Sequence, residues 1–506
     1  METKTHSNQN NGSKIPNQKF CNARRASGEL VRKMTLLGAS AGSALLGAQS
    51  LPAQPLLPPQ VGTVFVVAME NHNFTQPIPT SSPQQIFGNS AAPFINSLVT
   101  PGNANAVQVS YATAYYNAGI HVHPSEPNYV WAEAGTDFGV HTDADPRSAS
   151  GNTFYDNSVH LTALLNEAGI SWKNYQEDVQ LSVSPTNSAS GVSTSVINPY
   201  YGTGQFNYAV KHNPMAFFSD TAVQNVYPLA QLFADLNNNA VGQYNWITPN
   251  QFDDAHSALT GGFTYQGTQY TGDQASIAQG DNFLSQVIPQ IMASPAYQNN
   301  GVIVIWWDET EKGDDVNHTI PEIVISPLAK GNAYASAVPL NHSSDIKTIE
   351  EIFGLPFLNN PIPTVETDVT GTGYNNVAIV NDLRDLFVPG AIPAPPSMEV
   401  TLGRLVFQGH TGRALQVAHI TNTGSSPVPA PLWLVLDNLS PNATLLNADG
   451  TSAVLAPLGS PYVQVNVGGD SILRPHETKT VLLEFLDQTS GAIDYTTRVL
   501  DVVPTP

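Results

Sequence analysis

Acids and imidazoles gather where apolar runs of this sequence stop. The run Gly62–Met69 ends in Glu70, Asn71 and His72, and the run Gly301–Trp307 ends in Asp308 and Glu309. A third stretch, Tyr244–Pro249, leads into Asp253, Asp254 and His256, and His318 stands just ahead of a fourth run, Glu322–Ser326. Open parallel sheets bind ligands beyond the carboxyl ends of their strands, so these segments should converge on one edge. The single cysteine, Cys21, is remote from all of them. The donors are therefore carboxylate oxygen and imidazole nitrogen, which suit a hard-to-borderline divalent metal ion whose identity the sequence leaves open. Singly, an acid after a strand also serves as the cap of the next helix, and His318 also reads as a packing residue. Recurrence at several strand ends favours a site.

A second cluster is His121-Val-His-Pro-Ser-Glu-Pro-Asn-Tyr129, followed by an apolar stretch to Gly135. Ser125 stands before Glu126 and Pro127, so it is expected as the N-cap of a helix that Gly135 stops. One role for a hydroxyl there is to cap the helix and nothing more. The same position also faces free N–H groups and the positive end of the helix dipole, where a phosphoryl oxygen is stabilised and a neighbouring metal activates a nucleophile. His123 and Asn128, on either side of Ser125, are candidates for holding phosphoryl oxygens. His212, in Lys211-His-Asn-Pro214, is a weaker candidate of the same kind and reads mainly as a loop residue.

These residues need a scaffold. From Gly62 to about Phe387, continuous apolar runs without alternation give way to helical spacing over His160–Ala168 and Asn282–Met292. That is the pattern of an α/β domain with a largely parallel sheet covered on both faces. Residues Ser182–Gln205, rich in Ser, Thr, Asn and Gly, read as a long surface insertion. A proline-dense linker follows at 388–398. Residues 399–506 change to short alternating runs separated by turn signals, which predicts an antiparallel β-sandwich of immunoglobulin or fibronectin type. Its expected role is to stabilise or space, with a carbohydrate or cell-surface contact as the alternative.

Only 12% of the 506 residues are charged, yet 40 acids against 19 bases give a formal charge of -21. So few bases provide no field for nucleic acid or an anionic membrane. The N-terminal residues 1–53 hold seven of the bases and a 15-residue apolar run, Met34–Ala48. The run is too short to span a bilayer and reads as a secretory leader, with Arg24-Arg25 hinting at the twin-arginine route. The expected location is periplasmic or extracellular. Without the leader the chain would carry 38 acids against 12 bases, or -26.

Seven motifs, in order, resemble the bacterial phosphoesterase family of acid phosphatases and phospholipases C. They are Glu70–Phe74, His123–Tyr129, Gly169–Tyr175, Thr248–His256, Trp307–Glu309, His318–Pro321, and His342–Ser344 with Thr348–Leu355. The resemblance covers about residues 62–360 and implies an alkaline-phosphatase-like three-layer fold over residues 54–387. It also implies that Glu70 and Asn71 form the first metal-binding pair, that Ser125 is the nucleophile, and that Asp308 and Glu309 hold the metal from the opposite side. Asp254, His256 and His318 match an outer set that binds a second metal or the phosphate. Alkaline phosphatase itself has Asp-His where this chain has Asp308-Glu309. The expected protein is a secreted, metal-dependent hydrolase of phosphoric esters, foremost a phosphomonoesterase with a phosphoserine intermediate. Water would be positioned by Asp254, His256 or His318. The alternatives are a phospholipase C or other phosphodiesterase and, from another class, a non-catalytic surface-binding protein.

Overall fold

A computed structural model describes residues 59–76, 84–146, 159–182, 184–363, 368–369, 376–378, 380–393, 398–408, 411–424, 427–452, 459–469, 471–487 and 492–500. The expected leader, with Cys21, lies outside them.

The central sheet is built on Thr63–Met69, whose residues from Val64 onward are all buried. This strand pairs in parallel with Gly301–Trp307 on one side and Tyr244–Thr248 on the other. The eight-stranded order is Tyr334–Ser336, Val109–Ala112, Glu322–Ile325, Gly301–Trp307, Thr63–Met69, Tyr244–Thr248, Trp172–Gln176, Val226–Pro228. The expected apolar runs are thus strands covered on both faces, as their lack of alternation requires.

One strand, Glu322–Ile325, runs against its neighbours and pairs antiparallel with both. Its first residue, Glu322, lies opposite Trp306, at the carboxyl end of the parallel strands. Residues that precede this strand therefore reach the same edge as residues that follow the others. A parallel strand would have sent His318 to the far edge.

The helix Ser125–Ala134 is buried along its whole length. Tyr129 anchors it edge-on against Trp306 (5.2 Å) and Trp246 (6.1 Å), contacts worth about 0.5–1.5 kcal/mol each beyond the area they bury. Gly135 ends it with φ 68°, its N–H returning to the Trp131 carbonyl. The N-cap is Pro124 in extended conformation, not Ser125, which is the first helical residue. The expectation of a serine cap is corrected: the hydroxyl is released from capping and turned toward carboxylates. The two expected helices occupy Leu161–Glu167 and Asp273–Met292. Within the Ser182–Gln205 stretch, Ala189–Val192 pairs antiparallel with Gln205–Tyr208.

The described part of the proline-dense stretch packs on the α/β layer. Ala391 and Ile392 are buried in its core, and the Val388 N–H donates to Leu328 O at 2.9 Å. Beyond it the chain is β-rich. Met398–Leu402, Arg413–Asn422, Thr478–Asp487 and Ala443–Leu445 form one antiparallel sheet with Val406–Phe407 at its side. A second is formed by Gly450–Thr451, Pro461–Val465, Leu432–Asp437 and Thr496–Leu500. Ala418 and Leu483 from the first sheet share one apolar core with Leu434 and Val465 from the second.

Candidate active site

The site begins where the two central strands stop side by side, Met69 in register with Trp307. The Asn71 N–H donates to Asp308 Oδ1 (3.0 Å) and its side-chain amide to Glu309 Oε1 (2.7 Å). Asn71 has φ 39°, a positive value that asparagine tolerates better than most residues. The Glu70 N–H donates to Asp254 O (2.8 Å), tying the loop after Tyr244–Thr248 to the same strand end.

Ser125, 1% exposed, meets this group from the helix. Its hydroxyl donates to Glu70 Oε2 at 3.1 Å and lies 3.4 Å from both Asn71 Oδ1 and Glu309 Oε1. Lys211 Nζ lies 3.5 Å from Ser125 Oγ. His256 closes the group, with Nδ1 3.0 Å from Asn71 Oδ1 and 3.1 Å from Glu70 Oε2. The residue before it, Ala255, has φ 81°, a strained conformation of the kind retained where side chains must be aimed.

Asp254 is placed behind this group. Its Oδ1 accepts from the His256 N–H (2.8 Å), and its Oδ2 lies 3.4 Å from His212 Nδ1. The other nitrogen of His212 reaches Glu70 Oε1 at 3.1 Å, and the ring stacks on Tyr129 at 5.0 Å. His212 is 1% exposed in the short helical turn Val210–His212. The loop reading of His212 is therefore corrected, and Lys211 was not singled out from the sequence at all. Their only signal was a basic pair before Asn-Pro within an otherwise acidic chain.

Three further expectations are corrected. His123 and Asn128 hold Glu309 rather than an open phosphoryl subsite. The His123 ring bridges Glu309 and Asp314, while the Asn128 amide donates to Val122 O (3.0 Å) and Glu309 Oε2 (3.3 Å). His318 reaches the correct edge but pairs with Asp315 (3.0 Å) and makes no described contact with Ser125 or the four central carboxylates. Asp253 faces away from Ser125, toward Glu177 and Asp178, where burial and those two acids raise its pKa.

Charge is uneven across the site. Burial opposes ionisation of Glu70, but His212, His256 and Lys211 outweigh it and pull its pKa down to about 2. Burial raises Asp308 well above the carboxylate range, and the charges of Glu70 and Glu309 add to the shift. Glu309 is raised by burial although His123 opposes this, and Asp254 by burial although His212 opposes it. Burial works against charge on the imidazoles too, but their acidic partners win, raising His256 to about 9 and His123 to about 10.

Asp308 Oδ2 is buried without a hydrogen-bond partner, and Glu70 Oε1 and Asp254 Oδ2 have only the His212 ring beside them. Among the described residues no three acidic, imidazole or thiol side chains are already drawn into a coordination shell. The fit to a divalent cation is one of charge and of orphaned oxygens, since unpaired buried carboxylates are costly and a cation relieves them. Glu70, Asn71, Asp308 and Glu309 are the residues that would hold it.

A sequence model of the phosphoesterase family matches residues 87–356, more than half of the chain. A phosphatidylinositol-3-phosphatase of Mycobacterium tuberculosis is 28% identical over 316 residues, covering 62% of this chain and 84% of that protein. A probable acid phosphatase of Kluyveromyces lactis is 32% identical over 268 residues, covering 51% of this chain and 56% of that protein. A phosphate-repressible acid phosphatase of Penicillium chrysogenum is 23% identical, covering 55% and 61%. Among solved structures, an alkaline phosphatase superfamily protein from Vibrio parahaemolyticus covers 72% of this chain and 78% of its own, at 10% identity and a TM-score of 0.39. On the family match, this chain belongs to the phosphoesterase family, and its class of chemistry is hydrolysis of phosphate esters.

Proposed function

We propose that the protein is an exported, metal-dependent phosphomonoesterase that works through a phosphoserine at Ser125. The observation that carries this reading is the Ser125 hydroxyl, 3.1 Å from Glu70 and 3.5 Å from Lys211, at the first turn of a buried helix.

A divalent cation held by Glu70, Asn71, Asp308 and Glu309 would supply Lewis-acid charge to the nucleophile and the phosphoryl group. The chain's own residues do the rest. Lys211 and the first N–H groups of the Ser125 helix bind phosphoryl oxygens, and burial excludes competing water. The Ser125 hydroxyl donates to Glu70 Oε2, which takes its proton as Oγ attacks. Ser125 Oγ attacks phosphorus in line, and the protonated His256, its side chain about a third exposed (32%), gives a proton to the leaving oxygen. Neutral His256 then takes a proton from the water that attacks phosphorus, the bond to Ser125 Oγ breaks, Glu70 returns its proton to Oγ, and orthophosphate is released. His212, locked between Glu70 and Asp254, keeps Glu70 aimed at Ser125. The test is hydrolysis of an aryl phosphate monoester, an aryl diester and a phospholipid, before and after chelation. Strong monoester turnover lost on chelation is expected; a preference for the phospholipid overturns the monoesterase reading.

Export rests on the basic N-terminal segment and its short apolar run, and places the enzyme in the periplasm or outside the cell. No helix among the described residues is long and apolar enough to cross a membrane. The C-terminal sheets are best read as an immunoglobulin- or fibronectin-like module that stabilises or spaces the catalytic domain.

A further inference from the structure

The groups that would receive a phosphoryl oxygen already hold a carboxylate. The N–H of Glu126 lies in the first turn of the Ser125 helix, where no earlier helical carbonyl exists to accept it. It donates to Asp143 Oδ1 at 3.2 Å. Lys211 Nζ donates to Asp143 Oδ2 at 3.0 Å and lies 3.5 Å from Ser125 Oγ. One carboxylate therefore bridges the two donors that flank the nucleophile, with each oxygen taking one, as two oxygens of a phosphoryl group would.

Asp143 differs from the other acids of the site in its freedom to leave. Glu70, Asp308 and Glu309 are almost fully buried, whereas the Asp143 side chain is 35% exposed and belongs to no helix or strand. It borders a cleft of about 270 Å³ lined also by Lys211, Ser190, Asn207 and Gln251. The carboxylate can swing into that space without moving the helix or the sheet.

We propose that Asp143 is a resident anion of the phosphoryl subsite, which a substrate or product phosphate displaces, and that this competition sets how tightly phosphate is held. The inference rests on the Ser125 reading. A ligand that enters only after a resident group has left binds more weakly by the fraction of time the subsite is vacated. The effect falls on substrate and product alike, so it raises KM and also hastens release of orthophosphate. The competing role, in which Asp143 merely steadies Lys211, has the opposite sign: removing it would weaken phosphate binding.

The experiment is calorimetric titration of the metal-loaded enzyme with inorganic phosphate, together with KM for an aryl phosphate. The variants are Asp143→Asn, which keeps the shape, Asp143→Ala, and Asp145→Asn as a control for loss of nearby negative charge. Asp145 instead holds Ser188, at 2.8 and 2.7 Å. Both Asp143 variants should bind phosphate about three- to tenfold tighter with a matching fall in KM, while the control stays within about twofold. Tighter binding is a gain that misfolding does not produce. Unchanged or weaker binding in Asp143→Ala, or equal tightening in the control, overturns the proposal. Undiminished turnover in Ser125→Ala sinks the parent reading instead, and the titration still reads the Asp143 competition.

Discussion

His212 Nε2 lies 3.1 Å from Glu70 Oε1 in a fully enclosed contact, while Nδ1 of the same ring lies 3.4 Å from Asp254 Oδ2. One imidazole thus contacts two carboxylates that arrive on different strand ends. His212→Ala should leave both acids without this partner and cost about 1–3 kcal/mol, the scale for leaving a buried polar group unpaired. Urea denaturation of the chelated protein measures it. Turnover should fall as well, because Glu70 loses the contact that aims it. A variant as stable as the parent would show that these acids do not depend on His212 as a partner.

Gly280 lies beneath the loop that carries Asp254 and His256. A Cβ at this position would sit 2.7 Å from Ala255 Cβ and 3.1 Å from Ala255 N, with Met69 Cε at 3.0 Å. Alanine is normally favoured over glycine inside a helix. Here Gly280→Ala should instead destabilise by about 1–3 kcal/mol through overpacking and reduce kcat by shifting the already strained Ala255. Thermal denaturation and steady-state kinetics check both effects; a more stable and fully active variant would contradict the contact.

His160 offers a pH signature outside the site. It is buried, and burial opposes its charge, but bonds to Glu133 (2.7 Å) and Asp220 (2.9 Å) outweigh this and raise its pKa. The folded protein therefore holds that proton more tightly than the unfolded chain. The resulting stability is complete below the unfolded value of about 6.5 and is lost as pH rises through the higher folded value. The Tm gap between the parent and His160→Gln should be widest in mild acid and narrow as pH rises through the raised folded value. A gap that widens with pH would reverse the assignment.

Cation binding should release protons. Burial and the neighbouring acids raise Asp308, and burial raises Glu309, so the metal-free site retains protons that a cation would expel. Titrating the chelated protein with a divalent metal in weak buffer near neutrality should release about one proton per ion. Proton uptake, or none exchanged, would count against this cluster as the place of binding.

Much of this arrangement was legible in the sequence because strand burial leaves a one-dimensional trace. Thr63–Met69 and Gly301–Trp307 show unbroken apolar runs, and their register delivers Glu70 beside Asp308. His212 left no such trace, since a histidine in a short helical turn looks the same whether it faces solvent or two carboxylates. The antiparallel course of Glu322–Ile325 was equally silent, because periodicity does not encode strand direction. His123 and Asn128 were found by position and misassigned by role: nearness to Ser125 in sequence does not reveal that their polar atoms turn to Glu309. In the β-rich region, alternation located most strands but said nothing of which sheet each joins.

The most direct test is acid-quench trapping of the phosphoenzyme. The metal-loaded protein is mixed with an aryl phosphate, quenched, and mapped by mass spectrometry, with Ser125→Ala run alongside. The phosphoryl group should appear on the peptide bearing Ser125, and the variant should show neither the label nor more than residual turnover. Phosphorylation at another residue, or full turnover by Ser125→Ala, would contradict the account.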